Sequence, residues 1–155
     1  MLIEIDDPAR DDVSALLAEH MADMVATSPP ESVHALDVSG LKIPEITFWT
    51  SREDGVLLGC GALKELDPAH AEIKSMRTTH AARGRGVASG MLLHLLAVAQ
   101  ERGYERLSLE TGAEDYFETA RRMYARHGFT LCEPFGSYRP DPNSVFMTRV
   151  VSPSG

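Results

Sequence analysis

Cysteine and positive charge are scarce in this sequence, and it has no long apolar run. Its cysteines, Cys60 and Cys132, form neither a disulfide framework nor a zinc-binding spacing, and their apolar surroundings predict small core residues. Lysine and arginine total 15 against 23 aspartates and glutamates, a net charge of −8. This balance disfavours general nucleic-acid binding, which needs a basic surface. No apolar stretch reaches the roughly 18 residues of a membrane span, and the N-terminus lacks the features of a signal peptide. We therefore expect a cytoplasmic protein with no nucleic-acid or membrane partner.

Strand-like and helix-like blocks alternate along the chain and predict a single domain over residues 1–151, with a disordered tail at 152–155. Residues 46–78 are expected to form an antiparallel meander, because Asp54-Gly55 is a hairpin turn signal between two strand-like runs. The loop, helix and strand that follow imply a parallel crossover. The predicted strands are 2–5, 46–50, 56–63, 71–78, 106–111, 129–132 and 145–150. The predicted helices begin at 6–8, 87 and 116, and end at 28–30, 102 and 127.

The stretch at 80–89 opens the second helix with two glycines and two arginines. Gly84 and Gly86 lack a Cβ, so the backbone there can turn sharply and approach a ligand closely. The first N–H groups of a helix have no intrahelical partner, and together with the helix dipole they suit a phosphate or pyrophosphate. Arg83 and Arg85 add positive charge in an otherwise acidic chain. The stretch therefore predicts an anion-binding loop.

Three motifs resemble those of the GNAT-type acyl-CoA N-acyltransferases. Residues 83–88 carry an Arg-x-x-Gly-x-Ala pattern that is similar to the family's pyrophosphate loop, and Glu72 lies a strand's length before it. Residues 120–129 resemble the Ala-x-x-Leu-Tyr-x-x-x-Gly-Phe signature, with Met123 in the place of its leucine. The resemblance covers essentially the whole chain. It implies an α+β fold (α/β, three layers), in which helices flank a mixed central sheet of about six to seven strands.

The resemblance also implies an enzyme that moves the acetyl group of acetyl-CoA directly to a primary amine, without a metal. Tyr124 stands at the position of the family's thiolate-protonating tyrosine. Glu72 is the candidate base, with Glu110 and His34 as alternatives. The cofactor would meet the glycine loop, a bulge where the fourth strand splays from the fifth, and Phe117, which replaces an asparagine of many members. The implied cofactor-binding residues are Met76, Arg77, Thr78, Arg83, Gly84, Arg85, Gly86, Val87, Ala88, Ser89 and Phe117.

The motifs do not identify the acceptor. We expect a small molecule, an amine or an amino acid, because a chain of this length has no additional domain on which to dock a large protein. A carboxylate of the acceptor would meet Lys74 or Arg77, and an amine would meet Glu31 or Asp37. The candidate substrate-binding residues are Glu31, His34, Glu110 and Thr111.

Three other functions stay open at this stage. One is a peptide or protein N-acetyltransferase, and another is a CoA-binding module of the same fold that regulates without catalysis. The third is a different phosphate-binding domain, although the P-loop and Rossmann patterns are missing. The last strand, if exposed, would pair between subunits, which predicts a homodimer.

Overall fold

The computed structural model of the chain describes residues 1–33 and 36–151, so the predicted tail lies outside the described residues. The strands are β1 Leu2–Ile5, β2 Ile46–Glu53, β3 Val56–Asp67, β4 His70–Thr78, β5 Arg106–Gly112, β6 Thr130–Leu131 and β7 Ser144–Val150. The α-helices are α1 Asp11–Thr27, α2 Val87–Arg102 and α3 Glu118–Arg126. Single 3₁₀ turns lie at Pro30–Ser32, Gly40–Lys42, His80–Ala82 and Asp115–Phe117.

All seven strands belong to one mixed sheet, in the order β1-β2-β3-β4-β5-β7-β6. Neighbouring strands are antiparallel except for β4 and β5, which run parallel. The connection between these two strands contains α2, as the parallel crossover requires. The structure thus confirms the predicted meander, the crossover and the expected number of strands.

The sheet carries an apolar core on each face. Residues of α2 and α3 pack on one face, against strand residues such as Ile73 and Leu109. On the other face Val13, Leu16 and Leu17 of α1 pack against β2 and β3. All the buried residues of α1 lie in its first half. The second half of α1 therefore contributes no fully buried side chain to this core.

A bulge in β4 decides which of its side chains face α1. Ser75 has a φ of 56°, in the left-handed region, and the pairing of β4 with β3 shifts register between Cys60 and Ala62. As a result Lys74 pairs with Ala62 and Arg77 pairs with Cys60, and both partners belong to the core beneath α1. Strict alternation would have sent Lys74 and Arg77 to opposite faces.

The strands β4 and β5 separate close to this bulge. Their parallel pairing ends at Ile73 and Leu109, whereas β4 continues to Thr78 and β5 to Gly112. Beyond that point their facing edges do not pair with each other, which leaves backbone N–H and C=O groups for a ligand. The splay expected at Met76 therefore begins two residues earlier, at Lys74.

The first helix begins later than predicted, at Asp11 instead of 6–8. Asp6 accepts a hydrogen bond from Thr50 Oγ1 at 2.7 Å, and Asp7 Oδ1 accepts one from the Ala9 backbone N–H at 2.8 Å. Both aspartates are thus engaged in a turn that precedes the helix. The N-cap position is Arg10, which makes no side-chain capping bond.

Two other predictions are corrected at the far side of the sheet. The last strand is not an edge, because β7 lies between β5 and β6, so it does not have the position from which a homodimer was predicted. The homodimer itself stays a prediction. The strand expected at 129–132 contains only Thr130 and Leu131.

Cys60 is buried as predicted, whereas Cys132 is only half-buried. Across the described ranges, no helix is long and apolar enough to span a membrane.

Candidate functional site

A cavity of about 520 Å³ lies where β4 and β5 separate. Residues of β4 and β5 line its middle. The glycine loop and α3 line it on one face of the sheet, and α1 with the segment that follows it lines it on the other face. Among the described residues, no group of three or more histidines, cysteines, aspartates and glutamates is placed to hold a metal ion.

The glycine loop forms one end of the cavity. Gly84 and Gly86 have φ values of 78° and 79°, a region that L-residues with a side chain rarely adopt. A Cβ built on either residue would meet no atom within 4 Å, so the space above the loop is open. The first helical hydrogen bond runs from the Gly90 N–H to the Gly86 carbonyl at 3.0 Å, which leaves the N–H groups of 87–89 without helical partners.

The side chains around the loop differ in what they offer to a ligand. Arg83 lines the cavity. Arg85 does not, because it turns away to Glu53, with 3.0 Å between Nη2 and Oε2, and its predicted contact with the cofactor stays a prediction. Val87 packs with Leu58 in a small buried cluster, and it can offer the cofactor little besides its backbone. Ala88 and Ser89 also line the cavity, as do Met76, Thr78 and Phe117.

Arg77 lines the cavity, but its charge is engaged by α1. Its Nη2 lies 2.5 Å from Glu19 Oε1 and 2.6 Å from Asp23 Oδ2, and its Nη1 donates to the Tyr116 hydroxyl at 3.3 Å. The guanidinium therefore ties the second half of α1 to the end of β4. Because Arg77 also lines the cavity, its predicted contact with the cofactor stays a prediction beside this structural role. His20 lies nearby, and burial together with the charge of Arg77 lowers its pKa to about 4.

Tyr124 is buried in α3 and lines the cavity. Its ring packs edge-on against Phe129, with the centroids 5.8 Å apart. Burial raises the pKa of its hydroxyl above the ordinary value, so the hydroxyl keeps its proton at neutral pH. Within the described ranges the hydroxyl has no hydrogen-bond partner, and burial is the one influence on its pKa. The Tyr124 hydroxyl can thus donate a hydrogen bond to a ligand in the cavity.

Glu72 is buried in β4, and one of its carboxylate oxygens accepts two hydrogen bonds. Its Oε2 accepts a hydrogen bond from the Tyr138 hydroxyl at 2.5 Å and another from Lys74 Nζ at 3.2 Å. Lys74 Nζ also donates to the Tyr138 hydroxyl at 3.1 Å. No motif in the sequence indicates Tyr138, which lies 66 residues after Glu72 in a stretch with no strand or helix period. Only the return of the chain from β6 to β7 brings it to the cavity.

Glu110 occupies the first position of β5 after the parallel pairing ends, and it lines the cavity. Burial raises its pKa to about 7, the nearby Ser144 and Lys74 oppose that rise, and Glu72 and Asp141 add to it. The buried Ser144 hydroxyl makes no hydrogen bond of standard geometry to a described residue, although it is close enough to stabilise the charged carboxylate. Glu110 is therefore a carboxylate of the cavity that is free of a strong hydrogen-bond donor among the described residues.

The raised pKa of Glu110 makes the stability of the protein depend on pH. The unfolded carboxyl titrates near 4.5 and the folded one near 7, so the contribution to stability is present below pH 4.5 and is lost as the pH rises towards 7. Solvent screening reduces the full linkage energy, and we expect a loss of about 2 kcal/mol. Glu110→Gln should match the wild type at pH 4 and exceed it by that amount at pH 8 in urea unfolding. An equal difference at both pH values would contradict the raised pKa.

The remaining predicted substrate residues divide into three groups. Thr111 lines the cavity beside Glu110. Glu31 is exposed and does not line the cavity, so its contact with a substrate stays a prediction that the cavity does not support. The next residue, Ser32, does line it and donates to Asp141 Oδ2 at 2.6 Å. His34 lies outside the described residues. Asp37, the other amine partner considered, does not line the cavity and accepts a hydrogen bond from the Gly40 N–H at 2.9 Å.

Comparison with known proteins agrees with this geometry. The model of the Acetyltransferase (GNAT) family matches residues 13–129. The chain is 54% identical to the uncharacterized N-acetyltransferase YsnE of Bacillus subtilis, over 96% of this chain and 99% of that protein. It is 51% identical to the uncharacterized N-acetyltransferase YedL of Escherichia coli, over 94% and 92% of the two chains.

Solved structures show the same fold. A crystal structure from Klebsiella pneumoniae, described as a candidate acyl-CoA N-acyltransferase, has a TM-score of 0.78 and 26% identity over 97% of both chains. An aminoglycoside 6′-N-acetyltransferase complexed with coenzyme A has a TM-score of 0.66 and 14% identity, over 100% of this chain and 99% of that one. The chain therefore belongs to the Acetyltransferase (GNAT) family and is an N-acetyltransferase with the fold of that family.

Proposed function

We propose that the protein transfers the acetyl group of acetyl-CoA to a primary amine of a small molecule in a single direct step. The observation that carries this proposal is the cavity itself. It joins an open, glycine-lined helix N-terminus to the unpaired edges of β4 and β5. The structurally similar aminoglycoside acetyltransferase in complex with coenzyme A supports the choice of cofactor.

The residues present fit acetyl-CoA. The free N–H groups of 87–89 and the side chain of Arg83 suit the pyrophosphate. The backbone of Met76 and Thr78, beyond the splay, suits the amides of the pantetheine arm, which would lie there like an added strand. Backbone N–H groups at the bulge would also stabilise negative charge on the thioester oxygen as the amine attacks. When bound, acetyl-CoA supplies an activated acetyl group.

The reaction forms a carbon–nitrogen bond, breaks the carbon–sulfur bond and moves one proton from the amine to the departing sulfur. We propose Tyr124 as the acid that protonates the thiolate, since its proton is retained at neutral pH. For the base, the sequence prediction of Glu72 is one candidate. Glu110 is a second, favoured because Tyr138 and Lys74 already donate to Glu72 Oε2. Both carboxylates line the cavity.

A regulatory module that binds CoA without catalysis and a peptide N-acetyltransferase are the alternatives. The buried tyrosine hydroxyl in the cavity favours catalysis over the first. The cytoplasmic location stays a prediction.

Calorimetric titration with acetyl-CoA, followed by free-thiol release with a panel of amines, tests the proposed function. We expect saturable binding and thiol release with at least one small amine. Binding without release for any amine, but with release for peptide N-termini, would favour the peptide enzyme. Binding without release in either panel would favour the regulatory module, and no binding would remove the cofactor assignment.

A further inference from the structure

We propose that the acceptor is a cationic amine that carries no carboxylate. This inference rests on the proposed function, because it concerns the acceptor of the same reaction. The acceptor side of the cavity is defined here as Glu72, Lys74 and Arg77 on β4, Glu110 on β5, Tyr138, and the lining residues of α1 and 28–32. On that side, both cations that the described residues provide are already paired, whereas Glu110 is not.

Lys74 has little capacity left for a ligand carboxylate. Its side chain is 10% exposed, and its Nζ contacts Glu72 and Tyr138. Glu72 is 3% exposed, so a carboxylate that took Lys74 from it would leave a buried negative charge without its partner. That loss is strongly destabilising. An amino acid bound at Lys74 would therefore bring two carboxylates to a single cation.

Arg77 is still less available. One guanidinium serves two carboxylates of α1, Glu19 and Asp23, and also the Tyr116 hydroxyl. The group as a whole is negative, because one positive charge faces two negative ones. His20 adds no positive charge at neutral pH, since its pKa is about 4.

Glu110, in contrast to the two cations, is unpaired among the described residues, and its carboxylate can bind an ammonium group of the acceptor. It lines the cavity at the splay, and Lys74, Glu72 and Asp141 are the charged groups that influence it. An ammonium group there gains a carboxylate partner and offsets the repulsion among three carboxylates. A ligand carboxylate would add to that repulsion, and juxtaposed like charges oppose binding. The charge pattern thus selects for a cation and against an anion at the same position.

Matched pairs of acceptors that differ only in the α-carboxylate test the inference directly. Suitable pairs are cadaverine and lysine, histamine and histidine, and tyramine and tyrosine, each assayed for thiol release from acetyl-CoA and for binding to the CoA complex. We expect kcat/KM or affinity to be about tenfold or more higher for the member without the carboxylate in at least one pair. Equal or better results for the amino acids, or binding of no member, would overturn the inference.

Variants that release Arg77 from its carboxylate partners test whether this ion pairing is the reason for the expected discrimination. Glu19→Gln/Asp23→Asn removes both carboxylates from Arg77, so discrimination against the carboxylated member should fall severalfold. The matched control, Asp12→Asn/Glu118→Gln, removes two carboxylates from ion pairs with Arg52 and Arg122 that do not line the cavity, and should leave the ratio unchanged. An unchanged ratio in the first variant would overturn the pairing argument. Failure of the proposed function is distinguishable, because it would abolish the binding of acetyl-CoA itself.

Discussion

Replacing Tyr124 with phenylalanine is expected to lower kcat by about 100- to 10,000-fold, the range typical of losing a general acid. The change removes one hydroxyl and keeps the ring, so the packing against Phe129 is retained. Since that hydroxyl is bonded to no other described residue, its loss should leave the affinity for acetyl-CoA nearly unchanged. Single-turnover kinetics and calorimetry separate the two effects.

Tyr104 provides the matched control for this prediction. It is a buried tyrosine of the same core, but its hydroxyl donates to Glu65 Oε1 at 2.7 Å and it does not line the cavity. Tyr104→Phe should lose some stability and keep its kcat. If Tyr124→Phe retains full turnover across pH, or if both variants lose it equally, Tyr124 is not the acid.

Replacing Gly86 with glutamate is expected to weaken acetyl-CoA binding by more than about 100-fold. A carboxylate at the helix N-terminus would oppose the pyrophosphate, and two like charges about 4 Å apart repel by several kcal/mol near a protein surface. The left-handed backbone of Gly86 adds a folding cost of about 1–2 kcal/mol for any residue with a Cβ. Calorimetric titration with acetyl-CoA measures the loss.

A second left-handed glycine of the same helix provides a control for the folding cost of placing a side chain on such a backbone. Gly103 at its C-terminal end has the same φ of 79°, and a Cβ built there also meets no atom within 4 Å. Gly103→Glu should therefore lose a similar amount of stability and still bind acetyl-CoA. Equal binding by the two variants would remove the anion site from the glycine loop.

Much of the fold could be predicted because its signals are local. Helix periods, the hairpin turn at Asp54-Gly55 and the crossover order each depend on residues close together in the chain, and all three are confirmed. The start of α1 was missed because Asp6 bonds to Thr50, which is 44 residues away. The strand at 129–132 was overestimated because apolar sequence alone does not decide how many residues find a partner strand.

The site divides in the same way. By itself the sequence determined the glycine loop, the position of Tyr124 in α3 and the place of Glu72 in the strand before the loop, because short motifs and spacings carry them. Only the tertiary structure decided that Arg77 forms ion pairs with α1 and that Tyr138 donates a hydrogen bond to Glu72. It also decided that Glu110 lies at the splay without a strong hydrogen-bond donor among the described residues. The reason is physical: charge pairing and burial depend on which distant segments meet, and one left-handed residue at Ser75 changes the face on which Arg77 lies.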